Sequence, residues 1–156
     1  MSLGLYLHIP YCFSKCRYCE FYSHPGERGV PDAYVDAVLR ELARFAPDAP
    51  LRPDTVYFGG GTPSLLSPAQ VGRLIRAACP VSGAEVTLEA NPETVTEESL
   101  RGFREAGVNR ISFGVQSARD SQLKTLGRPH TAKQARAAFA AAQRAGFTNI
   151  SWDIML

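Results

Sequence analysis

Three of the four cysteines lie within eight residues, Cys12-Phe13-Ser14-Lys15-Cys16-Arg17-Tyr18-Cys19, spaced C-x3-C-x2-C. That spacing sets three thiolates on one short loop, able to converge on one centre. Thiolates are the soft ligands that iron–sulfur clusters use. A cubane of four irons held by three cysteines keeps one iron open to a ligand that is not protein. Two other readings are weighed against this. A structural zinc site usually closes with four ligands, and here the fourth would be Cys79, His8 or His24, none with a partner pair. A disulfide framework fits poorly, because three clustered cysteines cannot pair evenly and nothing suggests secretion. Cys79 reads as a small buried residue after the second helix.

The cysteine loop with an aromatic residue, Tyr18, before its last cysteine resembles the radical S-adenosylmethionine (radical SAM) superfamily. Further motifs occur in one order: Tyr6-Leu7-His8-Ile9-Pro10-Tyr11-Cys12, Gly59-Gly60-Gly61-Thr62-Pro63, Glu89-Ala90-Asn91-Pro92, Gly114-Val115-Gln116-Ser117 and Gly127-Arg128. Together they look like the oxygen-independent coproporphyrinogen III oxidase family, which includes a haem-chaperone branch. The resemblance runs from Leu3 to Leu156. It implies a 4Fe–4S cluster on Cys12, Cys16 and Cys19. It also implies S-adenosylmethionine held by Tyr6, Tyr18, Gly60, Gly61, Thr62, Glu89, Gln116, Arg128 and Asp153, some of these serving a second bound molecule in the oxidase. His8 reads as a structural lumen residue, and His24 and His130 as surface loop residues.

Two departures shape the expected function. The oxidase carries a further cysteine two residues after the third of the loop; here Cys19-Glu20-Phe21 places Phe21 there. An acidic-Phe pair looks like the haem-chaperone branch, so haem binding and delivery is expected, with oxidative decarboxylation of coproporphyrinogen III as the alternative. The resemblance implies haem or a porphyrinogen as ligand, a reducing electron donor such as flavodoxin or ferredoxin, and a haem acceptor protein. The second departure is length. Residues 1–156 read as an incomplete radical SAM core that stops inside its fifth strand at Leu156, without the family's C-terminal part. An open sheet edge would make such a fragment association-prone.

The elements that must position these residues follow from periodicity. Alternation marks strands over Leu3 to Ile9, Thr55 to Phe58, Glu85 to Ala90, Arg110 to Val115 and Asn149 to Met155. Asp32 to Ala46 reads as a helix with Val35, Val38, Leu39, Leu42 and Phe45 on one stripe, stopped by Pro47. Ser67-Pro68-Ala69-Gln70 opens a second helix as a capping box with proline at its first position. Thr96 caps a third, which ends at Gly107. A short irregular or helical piece covers Arg119 to Leu126, and Thr131-x-x-Gln134 opens a last helix that ends at Gly146. Gly26 to Pro31 reads as a connection. Strands alternating with helices, joined by crossovers too long for hairpins, predict an α/β fold: a partial (β/α) barrel of the radical SAM type with parallel strands and right-handed crossovers. A weak repeat supports it, since Glu105 to Phe113 echoes Arg144 to Trp152 at a spacing of 39 residues.

Strand parity separates two faces. One set is apolar throughout: Leu5, Leu7, Ile9; Val56, Phe58; Val86, Leu88; Ile111, Phe113, Val115; Ile150, Trp152, Ile154. This set is expected against the helices. The other includes Tyr6, His8, Glu89, Gln116 and Asp153, and it is expected inward. A packed structural barrel fills its lumen with branched apolar side chains. A polar lumen suits a polar ligand, bound where the strands' C-terminal ends open.

Bulk composition is that of an ordinary globular chain. Its 156 residues are 45% hydrophobic and 21% charged, and seventeen basic against fifteen acidic side chains leave +2. No run of one sign argues for nucleic acid or a membrane surface. No stretch approaches the ~18 apolar residues that span a bilayer. Met1-Ser2-Leu3-Gly4 lacks a signal peptide's basic start, so the chain reads as cytoplasmic.

Overall fold

The computed structural model describes residues 2–26 and 28–155. The expected break at Leu156, and Met1 and Glu27, lie outside the described residues. The chain runs β1 (Gly4–Ile9), β2 (Tyr11–Cys12), β3 (His24–Pro25), α1 (Asp32–Phe45), β4 (Thr55–Gly60), α2 (Pro68–Ala78), β5 (Glu85–Ala90), α3 (Glu97–Ala106), β6 (Arg110–Gln116), α4 (Asp120–Leu126), α5 (Ala132–Arg144) and β7 (Asn149–Ile154). Short 3-10 turns cover Pro63–Leu65 and Pro92–Thr94.

The five long strands form one parallel sheet in the order β1-β4-β5-β6-β7. This is the predicted partial barrel of βα units. The repeat noted in the sequence has a structural counterpart. Arg110 pairs with Asn149, Ile111 with Ile150, Ser112 with Ser151 and Phe113 with Trp152, so each residue sits beside its own echo 39 positions on.

The helices form where capping and amphipathicity coincide. Ser67 with Gln70, Thr96 with Ser99, and Thr131 with Gln134 each close both bonds of a capping box, worth about 1 kcal/mol per cap. Parity sorts as expected over the first four long strands. Leu7, Ile9, Val56, Phe58, Val86, Leu88, Ile111, Phe113 and Val115 are buried in one core with Val35, Val71, Leu74, Leu100 and Phe103 of the helices. The last strand is less covered: Trp152 packs edge-on against Phe139 of α5, 5.5 Å between centroids, while Ile154 is exposed.

Three local expectations are corrected. Phe45 is 79% exposed, because the α1 stripe is covered only as far as Leu42. Cys79 is exposed, not buried; it is the left-handed cap of α2 (φ 49°), where the chain turns away just after the last buried residue, Ala78. The third concerns His130, described with the site. The β2–β3 pair had no periodic signal, being two residues long on each side. It pairs Tyr11 with His24 and Cys12 with Pro25, clamping both ends of the cysteine loop.

Candidate functional site

The cysteine loop is held at its base and at its tip. His24 N–H donates to Pro10 O at 2.7 Å and Gly26 N–H to Phe13 O at 3.3 Å, closing the base. At the tip, Arg17 N–H donates to Leu126 O at 3.2 Å, docking the loop on the end of α4. Gly127, at φ +73°, lies under this contact; a Cβ there would stand 3.1 Å from Arg17 Cγ. Cys12 is 7% exposed and Cys16 and Cys19 are half-buried, all three as free thiols. All three line one cavity at the C-terminal ends of β4, β5, β6 and β7.

Eleven of the twelve site residues expected from the sequence line that cavity: the three cysteines, Tyr18, Gly60, Gly61, Thr62, Glu89, Gln116, Arg128 and Asp153. Tyr6 does not. Its ring is 54% exposed and stacks on Tyr57, 6.0 Å between centroids. Tyr6 hydroxyl and His8 Nδ1 are 3.3 Å apart, and His8 Nε2 donates to Tyr22 O at 3.1 Å. His8 thus braces the cysteine loop, in keeping with its structural reading.

The glycine run answers to the protein's own neighbouring strands, to side chains at Gly59 and Gly60 and to backbone at Gly61. A Cβ on Gly59 would stand 2.7 Å from Tyr6 Cε2, on Gly60 2.7 Å from His8 Cε1, and on Gly61 2.6 Å from Tyr11 O. Gly60 also has φ +119°, a conformation open to glycine. These glycines let β4 turn hard against β1 and β2, and so bring the base of the cysteine loop beside the strand ends.

Glu89 is fixed from two sides. Tyr57 hydroxyl donates to Oε1 at 2.8 Å, and Gly60 N–H donates to Oε2 at 3.2 Å. Burial raises the Glu89 carboxyl above its ordinary range; the two bonds pull it back and the Asp153 charge pushes it up again. Burial, then the bond to Glu89, lifts the Tyr57 phenol well above its usual range. Asp153 accepts from Ser112 hydroxyl at 3.1 Å, Ser112 from Ser151 at 2.8 Å, and Ser151 from Arg110 at 3.0 Å. A ladder of hydroxyls therefore runs up the inner face of the sheet to the cavity. Gln116 sits at a bulge with φ +67°, which re-aims its side chain toward the cavity.

Arg128 is the most connected side chain in the cavity. Nη1 donates to Cys16 Sγ at 3.2 Å, and Nη2 to Asn91 Oδ1 at 2.6 Å and to Gly114 O. Its Nε is buried without a partner. Burial opposes the charge, but Cys16, Tyr18 and Glu93 more than offset it, so the guanidinium is held more firmly protonated than usual. Gly114 makes room for it: a Cβ there would lie 3.0 Å from Nη2.

Sequence reasoning overlooked Asn91 as a site residue, although its motif was in view, and misplaced His130. His130 is buried, not at the surface. Its Nε2 donates to Val115 O at 3.1 Å and its Nδ1 faces Glu93 Oε2 at 3.1 Å. The Pro92–Thr94 turn folds over the ring, a long-range contact that local polarity did not signal. His24 is exposed, as expected.

The donor set fits the groups that the motifs imply. Three thiols share a cavity with an arginine that donates to one of them, and the buried Nε adds an unused donor. Among the described residues no three His, Cys, Asp or Glu side chains gather closely enough for one metal ion. A cubane takes each cysteine on a different iron, so its ligands stand further apart than those of one zinc. Among the described residues no helix is long and apolar enough to cross a membrane.

Comparison with known proteins agrees. The heme chaperone HemW of Escherichia coli (strain K12) is 45% identical over 159 residues, covering 98% of this chain and 42% of the relative. The mitochondrial radical S-adenosyl methionine domain-containing protein 1 of Bos taurus is 41% identical over 161 residues, 98% of this chain and 36% of the relative. Among solved structures, the coproporphyrinogen III oxidase HemN of Escherichia coli, a radical SAM enzyme, superposes with a TM-score of 0.87 at 29% identity, over 98% of this chain and 37% of that one. The chain spans about two fifths of the length of the curated relatives it matches. The model of the radical SAM superfamily matches residues 6–156, and the chain belongs to that family.

Proposed function

We propose that this chain is the cofactor-binding part of a haem chaperone. Cys12, Cys16 and Cys19 hold a 4Fe–4S cluster. Gly60, Gly61, Thr62, Glu89, Gln116, Arg128 and Asp153 receive S-adenosylmethionine beside it, with Tyr18 at the loop and Tyr6 at the margin. The observation that carries this is the single cavity shared by the three thiols and the polar strand ends. When bound, the cluster and S-adenosylmethionine supply one-electron chemistry that no side chain can. The chain's own residues position and shield. Glu89 offers a pre-set carboxylate to an amine or hydroxyl, Asp153 a second one, and Arg128 a half-buried cation beside Cys16. The hydroxyl of Thr62 is already engaged by Cys12 and Asn91.

Haem delivery is favoured over decarboxylation by Phe21. Its ring lies 65% exposed beside the cavity, where the oxidase family places a further cysteine. The name carried by the 45% identical relative points the same way. The alternative, oxidative decarboxylation of coproporphyrinogen III, draws on the HemN superposition. In either case the rest of a longer protein, a reducing partner such as flavodoxin or ferredoxin, and for the chaperone a haem acceptor, complete the system.

Anaerobic reconstitution of the full-length protein is expected to give about four irons per chain with matching sulfide, lost in Cys12→Ala, Cys16→Ala and Cys19→Ala. Zinc without sulfide would reject the assignment. Offered haem and coproporphyrinogen III side by side, the protein is expected to bind haem tightly and form no protoporphyrinogen. Turnover with release of 5′-deoxyadenosine would assign the oxidase instead.

A further inference from the structure

Four hydrogen bonds join one cysteine of the loop to another through residues from three other segments. Arg128 Nη1 donates to Cys16 Sγ at 3.2 Å, and Arg128 Nη2 to Asn91 Oδ1 at 2.6 Å. Asn91 Nδ2 lies 3.2 Å from Thr62 Oγ1, and Thr62 Oγ1 lies 3.2 Å from Cys12 Sγ.

The chemistry of the groups fixes the direction of each bond. A guanidinium only donates, so the Asn91 carbonyl oxygen must face Arg128. The amide NH2 then faces Thr62, whose oxygen accepts from it. The single hydrogen of the hydroxyl is left for Cys12 Sγ. Thr62 is 1% exposed, so water does not compete for it, and its backbone N–H is pinned to Tyr11 O at 2.7 Å, one residue before Cys12.

We infer that Asn91 sets the Thr62 hydroxyl as a hydrogen-bond donor to the Cys12 sulfur, and that this relay tunes the cluster. The inference rests on the cluster assignment proposed above. A donor on a ligating sulfur draws electron density from it and stabilises the more negative reduced state, raising the reduction potential. Arg128 acts likewise on Cys16. Asn91 is thus a positioning residue that reaches the cluster through Thr62 without touching it.

The test is redox titration of the reconstituted full-length protein, followed by EPR of the reduced cluster. Thr62→Val is expected to move the potential negative by about tenfold in the one-electron equilibrium, ~59 mV. Thr62→Ser, which keeps the hydroxyl, is expected to match wild type. Asn91→Asp keeps an oxygen for Arg128 but turns an acceptor toward Thr62, drawing the hydroxyl off Cys12, and is expected to move the potential negative too. In the Thr62→Val background Asn91→Asp has no hydroxyl to turn, so only the effect of its added charge remains and the two shifts do not add. A wild-type potential in Thr62→Val, or shifts that add in full, would overturn the inference. Should Thr62→Val not retain the cluster, Thr62→Ala takes its place. Should both lose it, Asn91→Ala takes the place of Asn91→Asp, because it releases the Thr62 hydroxyl without adding a charge: a negative shift supports the relay, and an unshifted potential overturns it. Absence of iron and sulfide from the wild-type protein rejects the cluster assignment itself; full content with unshifted potentials rejects only the relay.

Discussion

Arg128 and Cys16 lie 112 residues apart in the chain, yet the guanidinium donates from Nη1 to Sγ across 3.2 Å. The same side chain reaches Asn91 Oδ1 and Gly114 O, so one fork ties the cysteine loop to the ends of β5 and β6. A lysine keeps the charge but not the planar fork. Arg128→Lys is therefore expected to leave an acceptor unpaired and cost about 1–3 kcal/mol, read as a lower urea midpoint. Gly114→Ala, whose Cβ would press on Nη2, is expected to act the same way. Wild-type midpoints in both would show that the fork carries no stability.

The glycine run makes a second prediction. The Cβ of Gly61→Ala would lie 2.6 Å from a backbone oxygen that has little freedom to move. A loss of about 1–3 kcal/mol is expected, the range for overpacking. Gly29 has no atom within 4 Å of its Cβ position, and Gly29→Ala is the control, expected to be neutral or slightly stabilising. Equal unfolding midpoints for the two variants would contradict this account of the run.

His130 fills a buried slot between Glu93 and Val115 O. His130→Ala leaves the carbonyl and the carboxylate without their partner and opens a cavity. The expected cost is about 2–4 kcal/mol. His130→Gln, which can still donate to Val115 O, is expected to recover part of it. An alanine variant within ~0.5 kcal/mol of wild type, the scatter of ordinary surface substitutions, would show that the buried ring is idle.

Glu89 gives a pH dependence whose sign can be worked out. Burial raises its carboxyl in the folded state, so the folded protein binds this proton more tightly than the unfolded chain. Its contribution is most favourable below the unfolded pKa of ~4.3. That contribution is lost as pH rises through the higher folded pKa. Glu89→Gln removes the titration. The stability of the cofactor-free wild type, measured against Glu89→Gln in urea across this range, is expected to fall as pH rises. A difference that grows with pH would mean that the bonds from Tyr57 and Gly60 outweigh burial.

What the sequence alone determined was local in origin. Alternation at period two separated the buried face of the sheet from the lumen face, because neighbouring side chains on a strand point opposite ways. Capping boxes at Ser67 and Thr131 and the cap at Thr96 placed helix starts within a residue, because a cap acts on groups only three positions away. The three thiols were adjacent from the outset. Tertiary structure decided whatever depends on a partner distant in the chain. Asn91 became a site residue only when Thr62, 29 residues away, and Arg128, 37 residues away, closed on it. His130 was buried by a turn that folds over it, and Cys79 and Phe45 were exposed because nothing does. The close approach that Gly59, Gly60 and Gly61 allow is visible only in three dimensions, where their Cβ directions point at Tyr6, His8 and Tyr11. A side chain's type and spacing declare the chemistry it can do. Which atoms it meets is decided by chain closure between residues that share no local pattern.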